Sequence, residues 1–237
     1  MRGASRAKAA LIIPALNEEA ALGATLARVP AGLFATVIVA DNGSTDRTAE
    51  IARQCGASVV REPRRGYGAA CLRALEAVPA DTEAVVFLQA DGSEDPAEAV
   101  RLLEPIFEGA ADLVIGSRTL GRPHGMRPHQ AWGNLLAVWL IRILYGHRYT
   151  DLGPFRAVRV EALRRLCLRE RGYGWTAEMQ VRALEEGLRI LEIPVAAGRR
   201  VAGHDKISGT VKGSLGAGAR ILWTIFRLAF RPPSACR

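Results

Sequence analysis

Short apolar runs bounded by turn-forming residues alternate with stretches of helical spacing through the first half of the chain. That pattern predicts βα units around a mostly parallel sheet flanked by helices, an α/β fold. Residues 9–16, 36–40, 57–60, 84–89 and 112–116 are the expected strands. Between them, Asn17 is positioned to cap a helix reaching about Val29, with Glu18 and Glu19 favourable in its first turn. Further helices are expected over Asp46–Gln54 and Tyr67–Val78. Asp95-Pro96-Ala97-Glu98 has the order of a helix start: a capping carboxylate, a proline at the first position and an acid completing the pair.

The pattern changes after Pro123, Gly125 and Pro128. An apolar helix is expected near 131–145 and a second near 219–230. The first is shorter than the ~20 apolar residues that a bilayer crossing needs, and Arg142 interrupts it. Trp132, Trp139 and Tyr145 suit an amphipathic interfacial helix as well as they suit a buried one. Arg220 and Arg231 beside the second helix shift the expectation towards a membrane surface. The 237 residues are read as one domain, 1–237, with a ligand-binding half over 1–122 and an acceptor- or membrane-facing half over 123–237.

Charge separates the same halves. Residues 1–115 carry 11 basic and 16 acidic side chains, whereas residues 116–237 carry 21 basic and 8 acidic. Arginine supplies 29 of the 32 basic residues, and its planar fork suits phosphate and lipid headgroups. The few aromatics show no base-stacking pattern, so nucleic acid is not an expected partner. Cys55, Cys71, Cys167 and Cys236 have no pair spacing, which argues against a zinc site or a disulfide framework and for thiols in a reducing compartment. With no signal-peptide pattern at the N-terminus, the expected location is cytoplasmic.

The candidate chemistry lies at strand ends, where open α/β sheets bind ligands. Asp41 ends the second strand and is followed by Asn42-Gly43-Ser44, which offers a carboxylate to a base or ribose at a tight turn. Asp46 and Thr48 are assigned to the turn itself. Gln89-Ala90-Asp91 follows the fourth strand. Asp91 there is the expected ligand of Mg²⁺ or Mn²⁺, since such an ion keeps waters and takes other ligands from a diphosphate. Ser93, Glu94 and Asp95 are read as solvated loop polars. His124, His129, His147 and His204 lack metal-ligand spacing.

Taken in order, Pro14 to Glu18, the Asp41 to Asp46 loop, Gln89-Ala90-Asp91-Gly92, Gly116-Ser117-Arg118, Asp151-Leu152-Gly153-Pro154-Phe155-Arg156 and Gly203-His204-Asp205-Lys206-Ile207-Ser208 make a series. The series resembles inverting family 2 glycosyltransferases, and among them the dolichyl- and polyprenyl-phosphate sugar synthases. The resemblance implies a GT-A, Rossmann-like fold, a UDP- or GDP-hexose donor, a divalent cation and transfer to polyprenyl (dolichyl-type) phosphate. It also implies a peripheral position on the inner face of the cell membrane, against an anionic surface. Carried over by position, Pro14, Leu16 and Glu18 border the nucleotide, Asp41 binds its base or ribose, and Gln89, Ala90 and Asp91 occupy the Asp-Xaa-Asp site. Two positions depart from the pattern: Gln89 replaces the usual first aspartate, and Asn42 the second acid of an Asp-Asp pair.

A lipid monophosphate is already an anionic nucleophile, so position and charge suffice for catalysis. Arg118 is the first candidate to hold the acceptor phosphate, with Arg127, Arg200 and Lys206 assisting. Glu178 is expected at a helix start, on a sugar hydroxyl or as a base for an alcohol acceptor. Asp151 orients the sugar or shapes a turn. A soluble-acceptor glycosyltransferase and a non-catalytic nucleotide-sugar-binding protein are the alternatives. A nucleotidyltransferase fits less well, because no glycine-rich triphosphate loop follows the first strand.

Overall fold

The computed structural model describes residues 8–121, 128–196, 198 and 211–230, without the side chains of 211–215. The five expected strands are present as β1 (Ala9–Ala15), β2 (Thr36–Asp41), β3 (Ser58–Arg61), β4 (Ala84–Phe87) and β5 (Leu113–Ser117). Two more, β6 (Arg156–Arg159) and β7 (Ile190–Pro194), join them in one sheet of order β3-β2-β1-β4-β6-β5-β7. Every pairing is parallel except those of β6, which runs antiparallel between β4 and β5. Two reversals cancel, so β5 and β7 run in the direction of β4, and all their carboxyl ends reach one edge.

The helices are α1 (Glu19–Ala27), α2 (Thr48–Gln54), α3 (Tyr67–Leu75), α4 (Ala99–Phe107), α5 (Pro128–Tyr145), α6 (Val160–Leu166), α7 (Trp175–Glu185) and α8 (Val211–Ala229). Alternate residues of the central strands serve opposite faces, as the period of a strand requires. Leu11, Ile13, Val39, Val86 and Val114 pack against α1, α2 and α4. Ala10, Ile12, Ile38, Phe87 and Ile115 pack against α3, α5, α6, α7 and α8. Both faces are therefore covered, which is why these strands read as continuous apolar runs.

Several local expectations change. Asn17 does not cap α1. It adopts a positive φ of 49°, and the cap position falls to Glu18, which makes no side-chain capping bond. Asp95 does cap as expected, its carboxylate accepting from the Ala97 N–H before a single 3₁₀ turn and α4. Cys55 and Cys71 are free thiols, but Cys167 is disulfide-bonded, because bridging depends on proximity in space and not on sequence spacing. No helix among the described residues is long and apolar enough to cross a membrane.

β6 and β7 are held to the sheet by charge as well as by ladder bonds. Asp112, just before β5, accepts from Arg189 Nε at 2.9 Å and Nη2 at 2.7 Å, and Arg159 Nε lies at 3.5 Å. The bidentate Arg189 contact holds the Asp112 carboxyl down at about 2. Because that value is below the unfolded one, the contribution is present above about pH 4 and is lost as the pH falls towards 2. Asp112→Asn should lower stability by about 1–2 kcal/mol at neutral pH, allowing for the exposure of Arg189. Urea unfolding should show that difference shrinking below about pH 4; a constant difference would contradict the assignment.

Candidate active site

Six segments meet at the carboxyl edge. Asp41 at the end of β2 is in register with Ala15 of β1, and Leu88 after β4 donates to the Ile12 carbonyl of the same β1. The Asp41 and Asp91 turns thus flank the end of β1, with their parent strands two spacings, or about 10 Å, apart. Arg118 follows β5, the Asp151–Phe155 loop enters β6, and Val195 follows β7 at the same edge.

On the β1–β2 side, side chains tie the loops to one another. Asp41, 5% exposed, accepts the Ser44 N–H at 2.9 Å. Asn17 instead joins the two turns, donating its N–H to Ser44 Oγ and accepting the Thr45 N–H at 2.7 Å. Glu18 is buried and donates its N–H to Thr48 Oγ1 at 2.7 Å. Asp46 accepts from the Thr48 and Glu19 N–H groups, the turn role expected of it. Pro14 and Leu16, at and just past the end of β1, are half-buried. Asn42 uses its whole amide: Nδ2 donates to the Glu62 and Arg64 carbonyls at 3.1 and 2.7 Å, and Oδ1 accepts the Gly66 N–H at 2.8 Å. An aspartate could make only the last of these, which accounts for the departure from an Asp-Asp pair.

After β4, Ala90 is fixed by Thr25 of α1, whose hydroxyl donates to its carbonyl at 3.0 Å. Asp91 Oδ1 accepts from Ser93 Oγ at 2.6 Å and from the Ser93 N–H at 3.0 Å. Gln89 Oε1 accepts from Ser93 Oγ at 3.3 Å. Glu94, expected in solvent, is buried and folds back to accept the Gln89 N–H at 3.0 Å. Burial pushes its carboxyl up to about 8; Asp91 and Asp151 add to the rise, while the Gln89 N–H and Arg118 oppose it. No three of His, Cys, Asp and Glu converge on a metal site among the described residues. One aspartate beside an amide is too small a donor set for zinc, and fits a hard cation that takes its other ligands from phosphate and water.

Opposite this loop, Asp151 is fully buried and accepts three N–H groups of Arg118: the backbone at 2.8 Å, Nε at 2.8 Å and Nη2 at 2.7 Å. The third guanidinium nitrogen, Nη1, has no bond among the described residues, and the side chain is 23% exposed. Glu192 of β7 holds the Thr150 and Asp151 N–H groups from the other side. Fully buried Arg156 gathers the carbonyls of Leu152, Gly153 and Thr176 and the Gln180 amide oxygen. The loop tolerates no side chain at Gly153, where a Cβ would lie 2.2 Å from the Gly116 carbonyl oxygen.

Glu178 is bonded to the chain just before α7. Its buried carboxylate accepts the Arg169 and Glu170 N–H groups at 2.9 and 2.7 Å, fixing the turn before α7. Glu170 in turn pairs with Arg220 at 3.0 Å and Arg227 at 3.5 Å, so those α8 arginines face protein carboxylate. Arg127, Arg200 and Lys206 lie outside the described residues. Sequence reasoning missed Glu94, Asn42, Glu192 and Arg156 as organisers. Asn42 stood out only as a missing acid and Glu94 only as a loop polar, Arg156 closed the Asp151–Arg156 motif, and Glu192 carried no signal.

The model of glycosyl transferase family 2 matches residues 10–167, and the chain belongs to that family. An uncharacterized glycosyltransferase of Mycobacterium tuberculosis is 40% identical over 210 residues, 86% of this chain and 92% of the relative. The undecaprenyl-phosphate mannosyltransferase of Micrococcus luteus is 31% identical over 218 residues, 85% of this chain and 88% of that one. Glucosyl-3-phosphoglycerate synthase from Mycobacterium tuberculosis, crystallised with Mn²⁺, UDP and phosphoglyceric acid, superposes with a TM-score of 0.77 at 25% identity, covering 97% of this chain and 81% of that one. The fold is thus the GT-A fold of nucleotide-sugar-dependent transferases.

Glu94 gives the site a measurable signature. Between about pH 4 and about pH 8 its carboxyl is neutral when folded and ionised when unfolded, so folding takes up a proton and loses stability as pH rises. Thermal melts of the wild type and Glu94→Gln from about pH 5 to 8 should show the balance moving steadily in favour of the variant. A pH-independent difference would mean that Glu94 is ionised in the fold.

Proposed function

We propose that this chain transfers a hexose from a UDP- or GDP-sugar to a polyprenyl phosphate, with inversion, at the cytoplasmic face of the membrane. One observation carries the lipid acceptor. Asn134 of α5 accepts the Leu152 N–H at 2.9 Å, beside the Asp151–Arg118 pair. From there the exposed stripe Trp132, Leu135, Leu136, Trp139 and Ile143 leads away along α5. α8 packs on α5 and exposes Trp223, Phe226 and Phe230. Apolar side chains in such a group are the signature of an interaction surface, and aromatic ones suit headgroup depth. The likeness to an undecaprenyl-phosphate mannosyltransferase supports the same reading.

In this reading Asp41 receives the base or ribose, and Pro14, Leu16 and Glu18 border it. Gln89, Ala90 and Asp91 line the diphosphate side, with Asp91 holding Mg²⁺ or Mn²⁺. The bound cation neutralises charge that develops on the leaving nucleoside diphosphate. The acceptor phosphate needs no strong base, and the chain's task is to hold it in line. Arg118 does this through Nη1, while Asp151 fixes the plane of its guanidinium. Arg127, Arg200 and Lys206 are assigned to the same phosphates. Glu178 is a positioning residue, since its carboxylate holds a turn.

A second reading, a water-soluble phosphorylated acceptor, draws on the likeness to glucosyl-3-phosphoglycerate synthase. A single assay separates them. Purified protein with Mn²⁺, labelled UDP- and GDP-hexoses and polyprenyl phosphate in detergent should give an organic-extractable product, and Asp91→Ala should reduce the rate at least ~100-fold. Turnover of phosphorylated soluble acceptors alone would replace the lipid reading with the second. Sedimentation with anionic vesicles should also fall on Trp139→Glu or Trp223→Glu; unchanged sedimentation would remove the α5–α8 surface from the account.

A further inference from the structure

The backbone of Thr150, Asp151 and Leu152 is gripped from three elements. Glu192 of β7 accepts the Thr150 and Asp151 N–H groups. Gln180 of α7 donates its Nε2 to the Asp151 carbonyl at 3.0 Å. Asn134 of α5 accepts the Leu152 N–H at 2.9 Å, and its Nδ2 lies 3.5 Å from the Thr150 carbonyl. Between them these residues carry Asp151, whose carboxylate orients Arg118. Asp151 and Leu152 are both buried, so a support that lets go leaves a polar group with no ready substitute. Gly153, the next residue, packs so closely on Gly116 that a Cβ would meet its carbonyl oxygen at 2.2 Å. A displacement of this loop therefore passes to the end of β5, two residues before Arg118.

The outer faces of the three supports differ. In α7, Met179, Gln180 and Val181 are all buried. β7 exposes one large apolar side chain, Leu191. α5 exposes five, and three of them, Trp132, Leu135 and Leu136, lie within two residues of Asn134. One turn of one helix thus presents apolar side chains outward and an amide inward to the Asp151 loop. The rest of its inner face, Ala137, Val138 and Ile141, is packed in the core.

We propose that Asn134 is a positioning residue that couples the contact of α5 with a lipid surface to the arginine of the acceptor phosphate. A bilayer that holds the outer face of α5 holds the Asn134–Leu152 bond, and with it Asp151 and Arg118. The proposal rests on the polyprenyl-phosphate reading above and adds a consequence to it: transfer is faster on a membrane than off it, even to an acceptor dissolved in water. A surface can shift the loop in this way because it binds the helix better when the bond is made than when it is open.

The test supplies Mn²⁺, labelled UDP- and GDP-hexoses and a short-chain prenyl phosphate that stays in water, with and without equimolar phosphatidylglycerol–phosphatidylcholine vesicles free of acceptor. The vesicles should raise the wild-type rate about tenfold, since a shift of about 1 Å in a catalytic group can cost on the order of 100-fold. Asn134→Leu removes the amide but leaves the outer face of α5, so it should sediment with the vesicles yet gain less than about twofold. A general loss of stability would lower both rates and leave their ratio unchanged. Equal stimulation of the wild type and Asn134→Leu overturns the role of Asn134. A wild type that sediments and turns over the short acceptor without stimulation overturns the coupling and leaves the lipid reading standing, whereas one that does not sediment defeats the lipid reading itself. Hydrogen exchange in the wild type decides the matter even if Asn134→Leu does not fold or the short acceptor is not used. Vesicles should slow exchange of the Leu152 amide at least about fivefold, and an unchanged rate contradicts the coupling.

Discussion

The antiparallel insertion of β6 between β4 and β5 is the constraint on which the rest of this molecule depends. It delivers the 151–155 loop to the edge where the parallel strands end, and with it a carboxylate that has no access to water. Asp151 is tolerable there only because three N–H groups of Arg118 converge on it. Removing one partner of such a buried pair typically costs about 3–5 kcal/mol. The pair thus joins the end of β5 to the start of β6, and Glu192 extends the tie to β7. That joint fixes the ends of β5, β6 and β7 relative to one another.

At this edge, polar side chains replace water as partners of the loop backbone. Asn17, Asn42, Asp46 and Thr48 tie the β1, β2 and β3 turns together, and Thr25 and Glu94 hold the β4 turn from the two sides. Such interlocking fixes the loops to one another, and fixed geometry is a general source of rate in transfer reactions. The covered faces of the sheet are apolar, and the polar loop contacts gather at this one edge. The exposed apolar stripes of α5 and α8 lie on the helical layer over one face of the sheet.

Much of this was legible in the sequence, and the gaps have physical causes. β1 to β5 show as apolar runs because helices cover both of their faces. β6 is four residues, Arg156-Ala157-Val158-Arg159, and its terminal arginines make it read as a loop; only the folded chain gives Arg156 its carbonyl partners. Asp41, Asp91 and Arg118 could be picked out because each follows a strand, a position that dictates the edge on which it emerges. Glu94 could not, since whether an acid three residues past Asp91 meets water or turns inward depends on Gln89's backbone. Asn42 appeared as a missing acid, while its three amide bonds explain why an acid is excluded. Cys167 escaped because its bridge is a matter of proximity in space.

Joint binding of a divalent cation and a nucleoside diphosphate at the carboxyl edge is the central claim. Anomalous diffraction from crystals soaked with Mn²⁺ and UDP or GDP tests it most directly. The account predicts one strong peak beside the Asp91 carboxylate and the nucleotide phosphates, with the base beside Asp41. A peak remote from Asp91, or a nucleotide seated away from the ends of β1, β2 and β4, would contradict it.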